Sequence, residues 1–218
     1  MCKKIIDISV SIAPSMPIYP GDPQVAIRTV ADIDTDGCSV SEITLGSHTG
    51  THIDAPSHIL KNGTSMDRLC LEELIGNALV LDLSSNVSNI TSDDLDRAYS
   101  RDDRDDDCSI LLIKTSNSRI WNEMTEFDLE NMVCLDESAA EWVVHRGFTT
   151  VGVDGFSVEE GEDSDLPIHR ILFENDMNIV ECLDLGEAEE GSYYFICLPL
   201  KLKDGNGAPA RAIIVTDK

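Results

Sequence analysis

Three of the chain's five histidines and an aspartate fall within Ser47-His48-Thr49-Gly50-Thr51-His52-Ile53-Asp54-Ala55-Pro56-Ser57-His58, with the spacing H-x3-H-x-D-x3-H. Imidazole and carboxylate together suit a borderline divalent cation such as zinc or manganese. They are also the groups that move protons near neutral pH. The segment is therefore read as a candidate metal site in preference to histidines scattered over surface and core.

The spacing constrains the backbone that must position these groups. On an α-helix His48 and His52 would share a face, but Asp54 would lie about 200° round from His52. Pro56 would also interrupt such a helix, and the residue before it is pushed towards extended conformations. His48, His52, Asp54 and His58 all occupy even positions, so an extended chain points them to one side. A straight strand would hold His48 and Asp54 about 20 Å apart, too far for ligands of one ion. The chain must bend, and Gly50 can supply the bend. An irregular strand and turn is expected, unlike the helical H-E-x-x-H zinc site.

At 218 residues, the chain is read as a single domain over residues 1–218 with a substantial core. No apolar stretch reaches the length of a membrane span, and Met1-Cys2-Lys3-Lys4-Ile5-Ile6-Asp7 lacks the apolar core of a signal peptide. A soluble cytoplasmic protein is the expectation. The seven cysteines are odd in number, scattered, and contain no C-x-x-C pair. That argues against a disulfide framework and a thiolate zinc finger, and most are expected to be buried small hydrophobes. The net charge of −25 speaks against non-specific binding to nucleic acid or an anionic membrane. It favours solubility and fits a salty cytoplasm. The acidic run Arg101-Asp102-Asp103-Arg104-Asp105-Asp106-Asp107 lacks the ligand spacing and glycine of a calcium loop, and reads as a solvated turn.

The elements expected around the cluster alternate between strand and helix. Ile5–Ser11 reads as an opening strand, followed by a turn at Pro20-Gly21-Asp22-Pro23. Val25–Val30 and Cys38–Leu45 read as strands, the second leading into the histidines. A helix is expected from Ser65 through Leu74, with Gly76 as its stop. Ala78–Leu83 and Ser109–Lys114 read as buried strands, and Thr91 or Ser92 can cap a helix over Asp93–Tyr99. Asp136–Arg146 has helical apolar spacing and is closed by Gly147. Thr150–Val153, Ile179–Leu185, Tyr193–Pro199 and Ala210–Thr216 complete the strands. The fold class is α/β or α+β.

Two residues downstream are candidates to complete the site. His169 lies in Leu166-Pro167-Ile168-His169-Arg170-Ile171-Leu172, and Glu181 lies in Asn178-Ile179-Val180-Glu181-Cys182-Leu183. A carboxylate in an apolar strand is costly to bury unpaired, so Glu181 requires a metal ion, a partner such as Arg170, or an edge position. His145 ends an amphipathic helix and is better placed for the helix dipole than for chemistry.

The H-x-G-T-H-x-D-x-P-x-H string, with Pro20-Gly21-Asp22 upstream and His169 and Glu181 downstream, resembles the cyclase/kynurenine formamidase-like metal-dependent hydrolases. The resemblance spans nearly the whole chain, including Asp7-Ile8-Ser9 and Val151-Gly152-Val153-Asp154-Gly155-Phe156-Ser157. It implies an α/β, swivelling β/α-type domain with a mostly β core and flanking helices, assembled as a homodimer or homotetramer. It implies two divalent ions, zinc or alternatively manganese. One is held by His48, His52 and Asp54; the second is held by Asp54, His169 and Glu181, with His58 as the proton carrier, close enough to the second ion to serve some members as a ligand. Members include arylformamidases, which hydrolyse N-formylkynurenine, and isatin hydrolases, which open a cyclic amide.

Such a site suits hydrolysis of a small amide. A divalent ion lowers the pKa of a water it binds to about 7 and polarises a carbonyl. His58 titrates in the range needed to pass a proton to the leaving nitrogen. No G-x-S-x-G elbow is present, and no cysteine has a histidine beside it, which disfavours a serine or cysteine nucleophile. In the arylformamidases a tryptophan before Pro-Gly-Asp stacks on the substrate; here Tyr19 stands in that place, able to stack or simply to pack. The glycine usual after the central strand's threonine is replaced by Ser116-Asn117-Ser118, so a reshaped loop through Trp121 is expected. The competing class is a metal-containing binding protein without turnover, and retention of His58 favours the enzyme.

Overall fold

A computed structural model describes residues 3–85, 88–100, 107–123, 132–160 and 165–216. Most of the acidic run at 101–107 lies outside them. The strands are β1 (Lys4–Asp7), β2 (Ala26–Ala31), β3 (Val40–Thr44), β4 (His52–Asp54), β5 (Ile75–Asp82), β6 (Ile110–Lys114), β7 (Thr150–Val153), β8 (Asn178–Glu181), β9 (Gly191–Pro199) and β10 (Gly207–Thr216). The helices are α1 (Ile33–Asp36), α2 (Ser92–Tyr99), α3 (Ile120–Glu123), α4 (Glu137–His145) and α5 (Pro167–Glu174).

The main sheet runs β10-β4-β8-β7-β6-β5-β9, and β9 pairs back onto β10. Seven strands thus close a barrel, which removes the exposed edges of an open sheet. β1 joins it antiparallel to the far end of β10. The run β5 to β8 is parallel, and its strands are buried on both faces. Ala78, Val80, Ile110, Leu112 and Val180 fill the barrel with Phe195 and Ile214. The alternate residues Leu79, Leu81, Leu111, Ile113, Val151 and Ile179 meet Leu95 of α2, Val143 of α4 and Leu172 of α5. The domain is therefore α/β with a mostly β core and flanking helices, as expected.

Thr91 caps α2 in a reciprocal box with Asp94, and Asp136 caps α4 through the Ala139 N–H. The expected helix over Ser65–Leu74 is not formed. Short 3-10 turns at Met66–Arg68 and Leu71–Leu74 flank extended Leu69 and Cys70, and Gly76 sits inside β5 opposite Phe195. Pairing with β9 begins at Ile75 and takes the chain that would have ended the helix, so tertiary pairing overrides local propensity. β1 and β8 are shorter than their apolar runs. β2 and β3 form a separate two-stranded ribbon instead of joining the barrel. α5 was not expected, although Pro167 at its first position is a start signal. Of the six described cysteines only Cys134, Cys182 and Cys197 are buried, half and not most.

Candidate metal centre

β4 lies between β8 and β10, with His52 opposite Glu181 and Asp54 opposite Gly207. Strand alternation sends Ile53 and Val180 into the barrel and turns His52, Asp54 and Glu181 to its outer face, beneath α5. His169, on α5, comes down on the same point. The segment before β4 bends at Gly50, whose φ of +64° is cheap only for glycine, and this returns His48 to Asp54. After β4, Pro56–His58 forms a 3-10 turn that brings His58 over the others. The irregular strand and turn expected from spacing is what positions the cluster.

The ligand-type atoms are close and mutually oriented. His48 Nδ1 lies 2.6 Å from Asp54 Oδ1. His52 Nε2 lies 3.2 Å from Asp54 Oδ1 and 3.3 Å from Glu181 Oε2. His169 Nε2 lies 3.2 Å from Asp54 Oδ2 and 3.4 Å from Glu181 Oε1. The His58 ring lies 4.2 Å from that of His48 and 5.9 Å from that of His169, centroid to centroid. Two groups could each hold an ion: His48, Asp54 and His58, and His52, Asp54 and Glu181. The second group pairs Glu181 with His52 where the resemblance pairs it with His169, and the first sets His58 beside His48 instead of beside the second ion's ligands.

Donor chemistry provides a test of fit. His52 Nδ1 donates to the Gly50 carbonyl at 2.7 Å, which leaves Nε2 turned to Asp54 and Glu181 as the atom that could lend its lone pair to a cation once its proton is lost. The Nε2 atoms of both His48 and His52 are buried without a hydrogen-bond partner. Buried polar atoms are normally satisfied, and a cation would satisfy these. The electrostatics agree. Burial opposes charge on His52, but Asp54, Cys182 and Glu181 outweigh it and hold its pKa well above the ordinary value. The same happens at His169, where Asp54, Glu159 and Glu181 outweigh burial. Burial raises and the imidazoles lower the pKa of Asp54 and Glu181, with a net downward shift in both. The site draws positive charge to itself, and the residues fit a divalent metal.

Two acids that sequence reasoning assigned no role support this floor. Glu159 is 4% exposed, and its Oε1 accepts from the His169 main-chain N–H at 2.8 Å and from His169 Nδ1 at 2.6 Å. Asp154 accepts from the N–H and hydroxyl groups of both Thr115 and Ser118. Burial raises its pKa despite those bonds. They make the loop after β6 a 3-10 turn at Ser116–Arg119. Trp121 Nε1 then donates to the Asp154 and Leu183 carbonyls, and its ring packs 4.9 Å from Phe156.

Arg170 pairs with Glu174 and leaves Glu181 to the imidazoles. His145 Nδ1 bonds the Glu141 carbonyl on an exposed helix end, away from the cluster. Above the floor is a cavity of about 220 Å³, walled by Ile18, Tyr19, Phe156 and Leu166. Tyr19 is held in a turn closed by the Asp22 N–H on its carbonyl.

The chain is 31% identical over 96% of its length to a kynurenine formamidase of Salinibacter ruber, 96% of which is covered. A solved structure described as a potential metal-dependent hydrolase with cyclase activity superposes with a TM-score of 0.82 at 29% identity, with both chains covered completely. An isatin hydrolase bound to the product analogue thioisatinate shares the fold, with a TM-score of 0.83 at 21% identity over 99% of this chain and 93% of that one. Residues 6–160 match the Cyclase family, and the chain belongs to that family.

Proposed function

We propose that the protein is a metal-dependent hydrolase that cleaves a small amide at its C–N bond, with an N-formyl aryl amide as the leading substrate class. The observation that carries this is the convergence of His48, His52, Asp54, His169 and Glu181 beneath an accessible His58, with His52 Nε2 turned to Asp54 and Glu181 and without a hydrogen-bond partner. Among the relatives, the Salinibacter ruber protein is named kynurenine formamidase.

His48, His52, Asp54, His169 and Glu181 would hold two divalent ions, zinc or alternatively manganese, with Asp54 shared between them. When bound, the metal would supply Lewis acidity and an acidified water. His58 is the mobile base. Burial lowers its pKa and His48 and His169 add to that, against the opposing pull of Asp54 and Glu181. The ring is therefore neutral near pH 7 and can accept a proton from the attacking water. It then returns that proton to the leaving nitrogen as the C–N bond breaks. Tyr19 and Phe156 offer flat apolar walls to an aromatic leaving group, and a 220 Å³ cavity suits a molecule of one or two rings.

The resemblance also supports association into a homodimer or homotetramer. The β2–β3 ribbon, with Ile27, Val30, Val40 and Ile43 exposed, offers an apolar surface for it. Among the described residues no helix is long and apolar enough to cross a membrane. A cytoplasmic location remains part of the proposal.

The test is hydrolysis by zinc- and manganese-loaded protein of N-formylkynurenine, isatin and simple lactones. Turnover of the formamide above the others is expected. Preference for isatin or a lactone would move the substrate to the cyclic class, and no turnover of any by metal-replete protein would favour a binding role.

A further inference from the structure

α5 begins awkwardly. Its N-cap is Leu166, a non-glycine residue at φ 45°, which gives no side-chain cap to the first turn. The first N–H groups of a helix have no partner within it and need one from outside. At His169, in that first turn, the partner comes from across the chain: Glu159 Oε1 accepts the main-chain N–H at 2.8 Å. The same oxygen takes the ring Nδ1–H of the same residue at 2.6 Å. Glu159 is buried, and its own N–H bonds to Ser157 Oγ at 3.2 Å, which ties the carboxylate to the cavity wall. The adjacent Val158 N–H donates to Glu181 Oε1 at 2.8 Å, so one short segment reaches both His169 and Glu181.

We propose that Glu159 is a positioning residue for the metal centre, seating the start of α5 and orienting the His169 ring through one carboxylate oxygen. The two bonds set Nδ1 as the protonated nitrogen and aim Nε2 at Asp54 and Glu181. Docking of the helix and aiming of the ligand are then one event. Metal binding and the order of α5 are coupled through Glu159, without contact between Glu159 and the metal. This rests on His169 being a ligand, as proposed above.

The experiment compares zinc affinity, by competition with a chromophoric chelator, in the full-length protein and in Glu159→Gln, Glu159→Leu and His169→Ala. Loss of such an outer partner costs about 10–100-fold in metal affinity. Glu159→Leu should fall in that range, with Glu159→Gln between it and the parent because an amide oxygen can still accept both bonds but without the carboxylate's charge. Zinc should also protect the amides of α5 from hydrogen exchange in the parent and less so in both variants. A purely structural role would lower the Tm of the metal-free variants and leave their zinc affinity unchanged, which would overturn the proposal. If Glu159→Leu does not fold, parental affinity in Glu159→Gln overturns it alone. His169→Ala separates the two levels: weakened binding there beside parental Glu159 variants refutes only the role of Glu159. Parental binding in His169→Ala refutes the ligand assignment itself.

Discussion

Asp54, Glu159 and Glu181 are at most 4% exposed, whereas acids such as Asp34, Asp93 and Glu174 stand in solvent. These three meet imidazoles within 3.4 Å, and buried Asp154 meets the N–H and hydroxyl groups of Thr115 and Ser118, so their charge is met on the spot. The exposed acids outnumber their cations in a chain of 41 acidic and 16 basic residues. Pairs such as Arg28–Glu42 and Arg146–Asp96 lie in the open, where ion pairs contribute little. A buried carboxylate must be compensated locally because desolvation is costly, while a surface carboxylate is compensated by water and salt. The same residue type thus does chemistry in one place and affects solubility in the other.

The contrast breaks most sharply at His52, which lies between Asp54 and Glu181. His52→Ala removes a ligand and leaves those two carboxylates with only the His169 imidazole between them. Loss of metal by elemental analysis and loss of all measurable turnover are expected. His58→Ala should keep its metal and lose turnover by about 10²–10⁴-fold, the usual contribution of an acid–base group. Full activity in metal-replete His58→Ala would remove His58 from the mechanism.

A subtler disturbance of the floor is Gly207→Ala. A Cβ there would lie 2.5 Å from His48 Cε1 and 2.8 Å from Nε2, so the ring must move. Misplacement of a catalytic group by about 1 Å can cost about 10²-fold, and kcat should fall on that scale. Unchanged kcat would mean that the position of His48 does not matter to the chemistry.

What could be read from the sequence follows the same division. The histidine string is legible because its ligands are close in sequence and its glycine and proline exclude a helix. His169 and Glu181 emerge through the resemblance, and Glu181 also through the cost of burying an acid in an apolar strand. Glu159 could not be found in this way. It begins the acidic stretch Glu159-Glu160-Gly161-Glu162-Asp163, and nothing in local composition separates buried Glu159 from exposed Glu160 beside it. The failed helix at 65–74 has a similar origin, since pairing of Ile75 with Ile196 is invisible to local periodicity. α5 was signalled by Pro167 before an apolar run, but that signal is weaker than a side-chain cap.

The buried acids should reveal themselves in proton release. In the metal-free protein the carboxylates hold His52 and His169 protonated above their ordinary value of 6.5. Stability from that protonation is complete below 6.5 and is lost as pH rises through the raised folded-state values. A metal needs the neutral ring, so binding at pH 7 must expel protons. Calorimetric heats should then vary with the ionisation enthalpy of the buffer, and metal affinity should rise with pH through neutrality. The Tm of the metal-free protein should fall over the same rise, and that of the loaded protein should change less. Buffer-independent heats would mean that the carboxylates do not charge the rings.

The smallest effect belongs to the exterior, where salt is the probe. A net charge of −25 repels itself across a compact surface, and added electrolyte screens that repulsion beyond a Debye length of about 10 Å at 0.1 M. Raising sodium chloride should therefore raise Tm. At this chain size each 1 kcal/mol gained corresponds to about 2–4 °C. The floor should respond differently, because charges a few ångströms apart beneath α5 are shielded from mobile ions. Metal stoichiometry should hold over the salt range in which Tm climbs. A Tm that falls with salt would mean that the surface pairs outweigh the repulsion. Metal lost in step with salt would mean that the floor is not insulated from solvent, and the division between the two acidic populations would not hold.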